Sequence, residues 1–195
     1  MEWYMYLAVI AAGLFAGFVN TLAGSGSLIT LPLLMFLGLP ANVANGTNRI
    51  GVLVQSLVSS ASFKRQKLYT VHEGLWMSIP ALAGALLGSL VAVRINERIM
   101  ELLIGGLLIV MFFIILYKPE QWVREHALSA SMRRRWWVPV IFFIIGIYGG
   151  FIQAGVGFFL LGALVLGAGM GLTQANAHKV FIVAAMTALA LVVFI

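Results

Sequence analysis

The chain alternates long apolar runs with short polar interruptions, and the length of each run predicts its element. Trp3 to Val19 is apolar, with aromatic residues at its start that suit an interfacial anchor. It is followed by Asn20-Thr21-Leu22-Ala23-Gly24-Ser25-Gly26-Ser27, whose glycines and hydroxyls disfavour a continuous helix. Leu28 to Leu37 is apolar again but only half the length of a membrane span, and Gly38-Leu39-Pro40 predicts a turn. A helix is expected from Val43 to Phe63, opening on Asn45-Gly46-Thr47-Asn48-Arg49 and closing at Lys64-Arg65-Gln66-Lys67. Gly74 to Val93 carries no charge and tolerates Pro80 as a kink, and Met100 to Tyr117 is the next span. Lys118 to Arg135 is polar and basic, and from Trp136 the apolar pattern resumes.

Composition turns these runs into membrane spans. Of 195 residues, 62% are hydrophobic and 9% charged, with a mean hydropathy of +1.05, whereas a soluble domain carries about 25% charged residues. An ordinary soluble enzyme is excluded, and the expected fold is an all-α polytopic membrane protein with about six membrane segments. Twelve Lys and Arg against six Asp and Glu read first as a topology signal, not as nucleic-acid binding. The basic loops at 64–67 and 118–135, two spans apart, both belong in the cytoplasm by the positive-inside rule. No cysteine is present, so disulfides and thiolate metal sites are excluded. No metal, phosphate-loop or cofactor motif is visible. The N-terminal residues lack the basic start of a secretory signal, so the first run is expected to stay as a membrane helix.

The interrupted pattern occurs twice. Gly13-Leu14-Phe15-Ala16-Gly17-Phe18-Val19-Asn20 resembles Gly146-Ile147-Tyr148-Gly149-Gly150-Phe151-Ile152-Gln153, and Ala23-Gly24-Ser25-Gly26 matches Ala154-Gly155-Val156-Gly157. Ala44-Asn45-Gly46-Thr47-Asn48 falls on Ala175-Asn176-Ala177-His178-Lys179, again where a helix begins. Each half then has a first helix broken by glycines, a short half-helix and a polar helix start. Such paired interruptions point to the substrate site of a secondary transporter. The half-length segments lean toward inverted repeats, with parallel ones open.

Broken helices expose backbone N–H groups that, with the helix dipole, attract an anion. The expected donors lie at Gly24, Ser25, Gly26 and Ser27, with Ser27 as N-cap, and at Gly155 and Gly157. Arg49 and Lys179, each several residues inside a helix, either snorkel to the interface or face the interior as counter-charges. Asn20, Thr47, Asn48, Gln153 and His178 either bind ligand or join helices, and His178 could also titrate. Gly84, Gly88, Gly105 and Gly106 are expected to serve helix packing. An intramembrane serine protease with a Ser25–His178 dyad and a passive anion channel are the alternatives; against the protease, Ala23 stands where the rhomboid-type motif has glycine.

Gly17 to Ser27, Pro32, Gly38-Leu39-Pro40 and Ala44 to Arg49, with the second copy at Gly149 to Lys179, resemble the sulfite exporter TauE/SafE family over essentially the whole chain. The resemblance implies a bacterial or archaeal inner-membrane carrier of small anions such as sulfite or organosulfonates, and no cofactor. It divides the chain into a first repeat at 1–117, a cytoplasmic loop at 118–135 and a second repeat at 136–195. The second repeat is shorter by two spans, so a truncated chain is expected. The expected partners are the lipid bilayer and a small anionic substrate, with a homodimer left open.

Overall fold

A computed structural model describes residues 3–116 and 137–195; the connection expected to form the cytoplasmic loop lies outside the described residues. Helix α1 (Trp3–Ala23) runs past Val19 and stops at Gly24, whose φ of +75° suits glycine at the C-terminal end of a helix. Only Gly24, Ser25 and Gly26 separate it from α2 (Ser27–Phe36). Gly26 occupies the N-cap position in right-handed helical geometry, with no side-chain cap, and Ser27 is already inside α2. This corrects the expectation that the Ser27 hydroxyl caps the half-helix: the chain re-enters helical geometry one residue earlier.

Helix α3 (Ala41–Arg65) starts after Pro40 and ends on Lys64 and Arg65, cations that favour a helix C-terminus. Helix α4 (Val71–Ala92) contains Pro80, and α5 (Glu97–Leu116) is started by Asn96, whose Oδ1 accepts from the Ile99 N–H at 2.9 Å. In the second half, α6 (Trp137–Phe151) ends before Gly155, which has φ +70°. Helix α7 (Val156–Gly162) follows and passes into a π turn over Ala163–Gly167, and α8 (Leu172–Phe194) closes the chain. The positive-φ glycines pair at one spacing: 24 with 155 and 38 with 169 are both 131 positions apart.

Helices α4 and α6 meet through small residues. A Cβ on Gly84 would lie 2.1 Å from the Phe143 carbonyl oxygen, and one on Gly150 2.1 Å from that of Ala85, so the backbones touch along the seam. Gly88 and Gly146 are equally close to the facing helix. Gly105 and Gly106, expected to do the same, have no atom of the described residues within 4 Å of an added Cβ, so packing of α5 against the described helices does not use them. Helix α8 packs against both α3 and α4.

Polarity is distributed inside out. Asn45, Asn48, Arg49, Gln153, His178 and Lys179 are buried, while Leu14, Phe18, Phe36, Leu102 and Val192 are exposed. In water that apolar surface would be a liability; in hydrocarbon it is the solvent-facing side, and polar groups belong within the bundle. Gly74–Ala92 and Leu172–Phe194 are long and apolar enough to cross a bilayer alone, with shorter apolar helices at Val9–Ala23, Ser27–Phe36, Trp137–Phe151 and Val156–Gly167.

Candidate functional site

The two helix breaks meet backbone to backbone. A Cβ on Gly24 would fall 2.4 Å from the Gly157 Cα, and one on Gly157 would fall 2.5 Å from the Gly24 Cα. Only glycine at both positions permits this approach. Gly26 is held against α1, its Cβ position 2.0 Å from the Ala16 carbonyl oxygen, whereas Gly155 faces the Met111 Cε at 2.7 Å.

Each break is closed by a cation from the opposite half. Lys179 on α8 donates from Nζ to the carbonyls of Asn20, Thr21 and Leu22 at 3.3, 3.0 and 3.5 Å. Arg49 on α3 donates from Nη1 to the Gly149 carbonyl at 3.3 Å, and from Nη2 to the carbonyls of Gly150 and Phe151 at 2.6 and 3.4 Å. These carbonyls belong to the last turns of α1 and α6, where a helix end leaves most carbonyls without an intrahelical donor; the Asn20 carbonyl also accepts from the Gly24 N–H at 2.9 Å. A cation there also opposes the negative end of the dipole. Arg49 is 0% and Lys179 1% exposed, so neither snorkels to an interface. The Arg49 guanidinium additionally lies 4.4 Å from the centre of the Phe194 ring, a cation–π contact.

Around the breaks runs a chain of polar side chains. Asn20 Nδ2 donates to Gln55 Oε1 at 2.5 Å, and Gln55 Nε2 donates to Thr21 Oγ1 at 2.7 Å, which lies 3.1 Å from Ser59 Oγ. Thr30 donates to Asn48 Oδ1 at 2.5 Å, leaving Asn48 Nδ2 without a partner. Gln153 Nε2 donates to Thr187 Oγ1, and Gln153 Oε1 and Ser56 Oγ have none. His178 Nδ1 is 2.9 Å from its own helix's Gln174 carbonyl, with its ring edge-on to Tyr69.

Two spaces adjoin this network. A cavity of about 220 Å³ between α1, α2 and α3 is walled by Asn20, Gly26, Ser27, Thr30, Thr47, Asn48 and Gln55 among apolar residues. Behind it, a niche of about 10 Å³ is lined by Asn20, Gly24, Ser27, Gln55, Ser56, Gln153, Gly157 and Lys179. That is room for about one water. Of the residues expected to form the site, Ser25, Arg49, Gly155 and His178 line neither space, and the other nine line one or both. Thr30, Gln55 and Ser56 were not among the expected residues; Asn48, Val52, Gln55 and Ser56 fall at one-turn and two-turn spacing on one face of α3, a signal available in the sequence. Among the described residues no group of three His, Asp or Glu side chains could hold a metal.

The chain matches the family model described as sulfite exporter TauE/SafE over residues 9–195. It is 30% identical over 185 residues to a probable membrane transporter protein, ORF9, of a Sinorhizobium species, covering 93% of this chain and 69% of that protein. It is 29% identical over 175 residues to one from Haemophilus influenzae, 88% of this chain and 67% of the relative. Against the probable membrane transporter protein YfcA of Escherichia coli it is 29% identical over 171 residues, 84% of this chain and 60% of YfcA. No solved structure matches it. The chain belongs to the sulfite exporter TauE/SafE family, a family of membrane transporters.

Proposed function

We propose that the protein is a secondary transporter of small anions, with sulfite or an organosulfonate as cargo, working as a multi-pass protein of about six spans in the bacterial inner membrane. The observation that carries this reading is the contact of two glycine breaks, Gly24 against Gly157, each with its carbonyl end neutralised by a cation from the other half. The reciprocal capping and the shared 131-residue spacing of positive-φ glycines support a two-fold repeat with its site at the crossing.

Charge at the crossing favours an anion. With the negative ends of α1 and α6 opposed by Lys179 and Arg49, the positive N-terminal end of α2, at Gly26 and Ser27, is the uncompensated dipole beside the cavity. Asn48 Nδ2 adds a donor without a partner on the same wall. Lys179 sits at the niche and supplies net positive charge to it. A cavity of about 220 Å³ accommodates a tetrahedral or pyramidal oxyanion with part of its hydration.

Thermal unfolding in detergent with sulfite, sulfoacetate, thiosulfate and sulfate tests this reading. A ligand held by the folded state adds about 2.7 kcal/mol at a hundredfold excess over its Kd. At least one of the four should raise Tm above matched chloride, and equal Tm in all five salts would overturn the proposal.

A further inference from the structure

Four residues line both the cavity and the niche: Asn20, Ser27, Val52 and Gln55. Two of them are tied to each other, because the Asn20 Nδ2 to Gln55 Oε1 hydrogen bond of 2.5 Å joins α1 to α3 at that shared wall. Gln55 is latched a second time to α1 through Thr21 Oγ1. The pair is thus a two-point strap, made of side chains on flexible stems rather than of packed backbone.

The niche behind the strap is lined by two residues with unpaired buried polar atoms. Ser56 is 1% and Gln153 3% exposed, yet Ser56 Oγ and Gln153 Oε1 find no hydrogen-bond partner. Buried polar atoms are nearly always paired, by protein or by water, and it is unusual that two residues carrying such atoms line, together with Lys179, one space of about 10 Å³. Rotation of the Gln153 amide turns its NH2 toward the niche while its oxygen accepts from Thr187, so Gln153 and the Ser56 hydroxyl can both donate to one oxyanion, and Lys179, whose three N–H groups stay on the α1 carbonyls, contributes its positive charge.

We propose that the Asn20–Gln55 pair is the gate of an oxyanion subsite whose donors are Ser56 and Gln153 and whose counter-charge is Lys179. An anion waits in the cavity, the strap parts, and the niche widens to take it while Gln55 and Asn20 turn their amides to the entering charge. This rests on the anion-carrier reading and gives it a site and a barrier. It makes Ser56 and Gln55 specificity-determining positions, because a small donor set behind a narrow gate favours compact oxyanions over larger carboxylates.

The absence of native cysteine makes the test clean. Ser56→Cys, behind the strap, and Thr47→Cys, in the cavity wall, are labelled in proteoliposomes with sulfonatoethyl methanethiosulfonate, itself a small sulfonate. Labelling of Ser56→Cys should be slow and should accelerate about tenfold when Gln55→Ala or Asn20→Ala removes the strap's hydrogen bonds, while Thr47→Cys labels quickly and equally in every background. A cooperative thermal transition and a single symmetric size-exclusion peak in detergent establish that each variant is folded, and either strap variant that passes decides the matter. Ser56→Cys labelled as fast as Thr47→Cys in the parent, or unchanged by a folded strap variant, overturns the gate. Oxyanion flux measured on the same vesicles separates the two ideas. Flux with ungated labelling removes the gate and leaves the carrier; gated labelling with no flux of any oxyanion removes the carrier, and with it the subsite's assignment.

Discussion

Gly24 and Gly157 carry different burdens, and alanine substitutions can separate them. At Gly24 an added Cβ meets the Gly157 backbone at 2.4 Å and also sits at φ +75°; at Gly157 it meets the Gly24 Cα at 2.5 Å in helical geometry; at Gly38 it has φ +90° with nothing within 4 Å. Left-handed geometry costs a residue with a Cβ about 1–2 kcal/mol. Overpacking against backbone costs about 1–3 kcal/mol, because neither chain has a flexible end to withdraw. Gly38→Ala should therefore lose about 1–2 kcal/mol, Gly157→Ala about 1–3 kcal/mol, and Gly24→Ala about 2–5 kcal/mol, the two added. Denaturant unfolding of the purified protein in micelles gives the three values. The double variant Gly24→Ala/Gly157→Ala should cost less than the sum of the singles, since the first already separates the breaks. Gly24→Ala no worse than Gly38→Ala would show that the breaks do not touch.

Other perturbations have equally definite outcomes. Arg49→Met abandons the carbonyls at the end of α6, including the 2.6 Å bond to Gly150, and should lower stability by about 2–3 kcal/mol with chloride as the sole added anion; an unchanged unfolding midpoint in chloride buffer contradicts the capping role. Gly84→Ala drives a Cβ to 2.1 Å from the Phe143 carbonyl and should cost about 1–3 kcal/mol. Gly105→Ala, with no described residue within 4 Å of the added Cβ, should be neutral or gain up to about 1 kcal/mol, and reversal of the pair on thermal melting would refute the α4–α6 seam. Ser25→Ala, in a residue that lines neither space, should reduce anion flux only partly; complete loss of flux would place Ser25 in the transport path.

Run length alone makes most helices legible. Apolar stretches bounded by Lys64-Arg65 or by Gly38-Leu39-Pro40 end close to where α3 and α2 end. The glycine clusters also mark where α1 and α6 stop. The Ser27 cap fails as an expectation because a serine beside two glycines fits a cap on sequence grounds, while the positive φ at Gly24 shifts the helix start to leave Gly26 in that position. The cations are the larger gap. Arg49 finds its carbonyls 100 to 102 residues away and Lys179 finds its own 157 to 159 residues away, so no local pattern distinguishes closing a helix end from facing an anion. Gln55 and Ser56 were legible through the turn spacing of α3, but in sequence they stand well away from the glycine breaks that they adjoin in space.

The meeting of the two breaks as an anion path is tested most directly by counterflow of radiolabelled sulfite into proteoliposomes holding unlabelled sulfite, comparing the parent with Lys179→Met. Lys179 lines the niche and closes α1, so the parent should concentrate label transiently and Lys179→Met should abolish that overshoot while lipid vesicles without protein show none. No overshoot in the parent with any of sulfite, sulfoacetate, thiosulfate or sulfate, or an overshoot undiminished in a folded Lys179→Met protein, would contradict it.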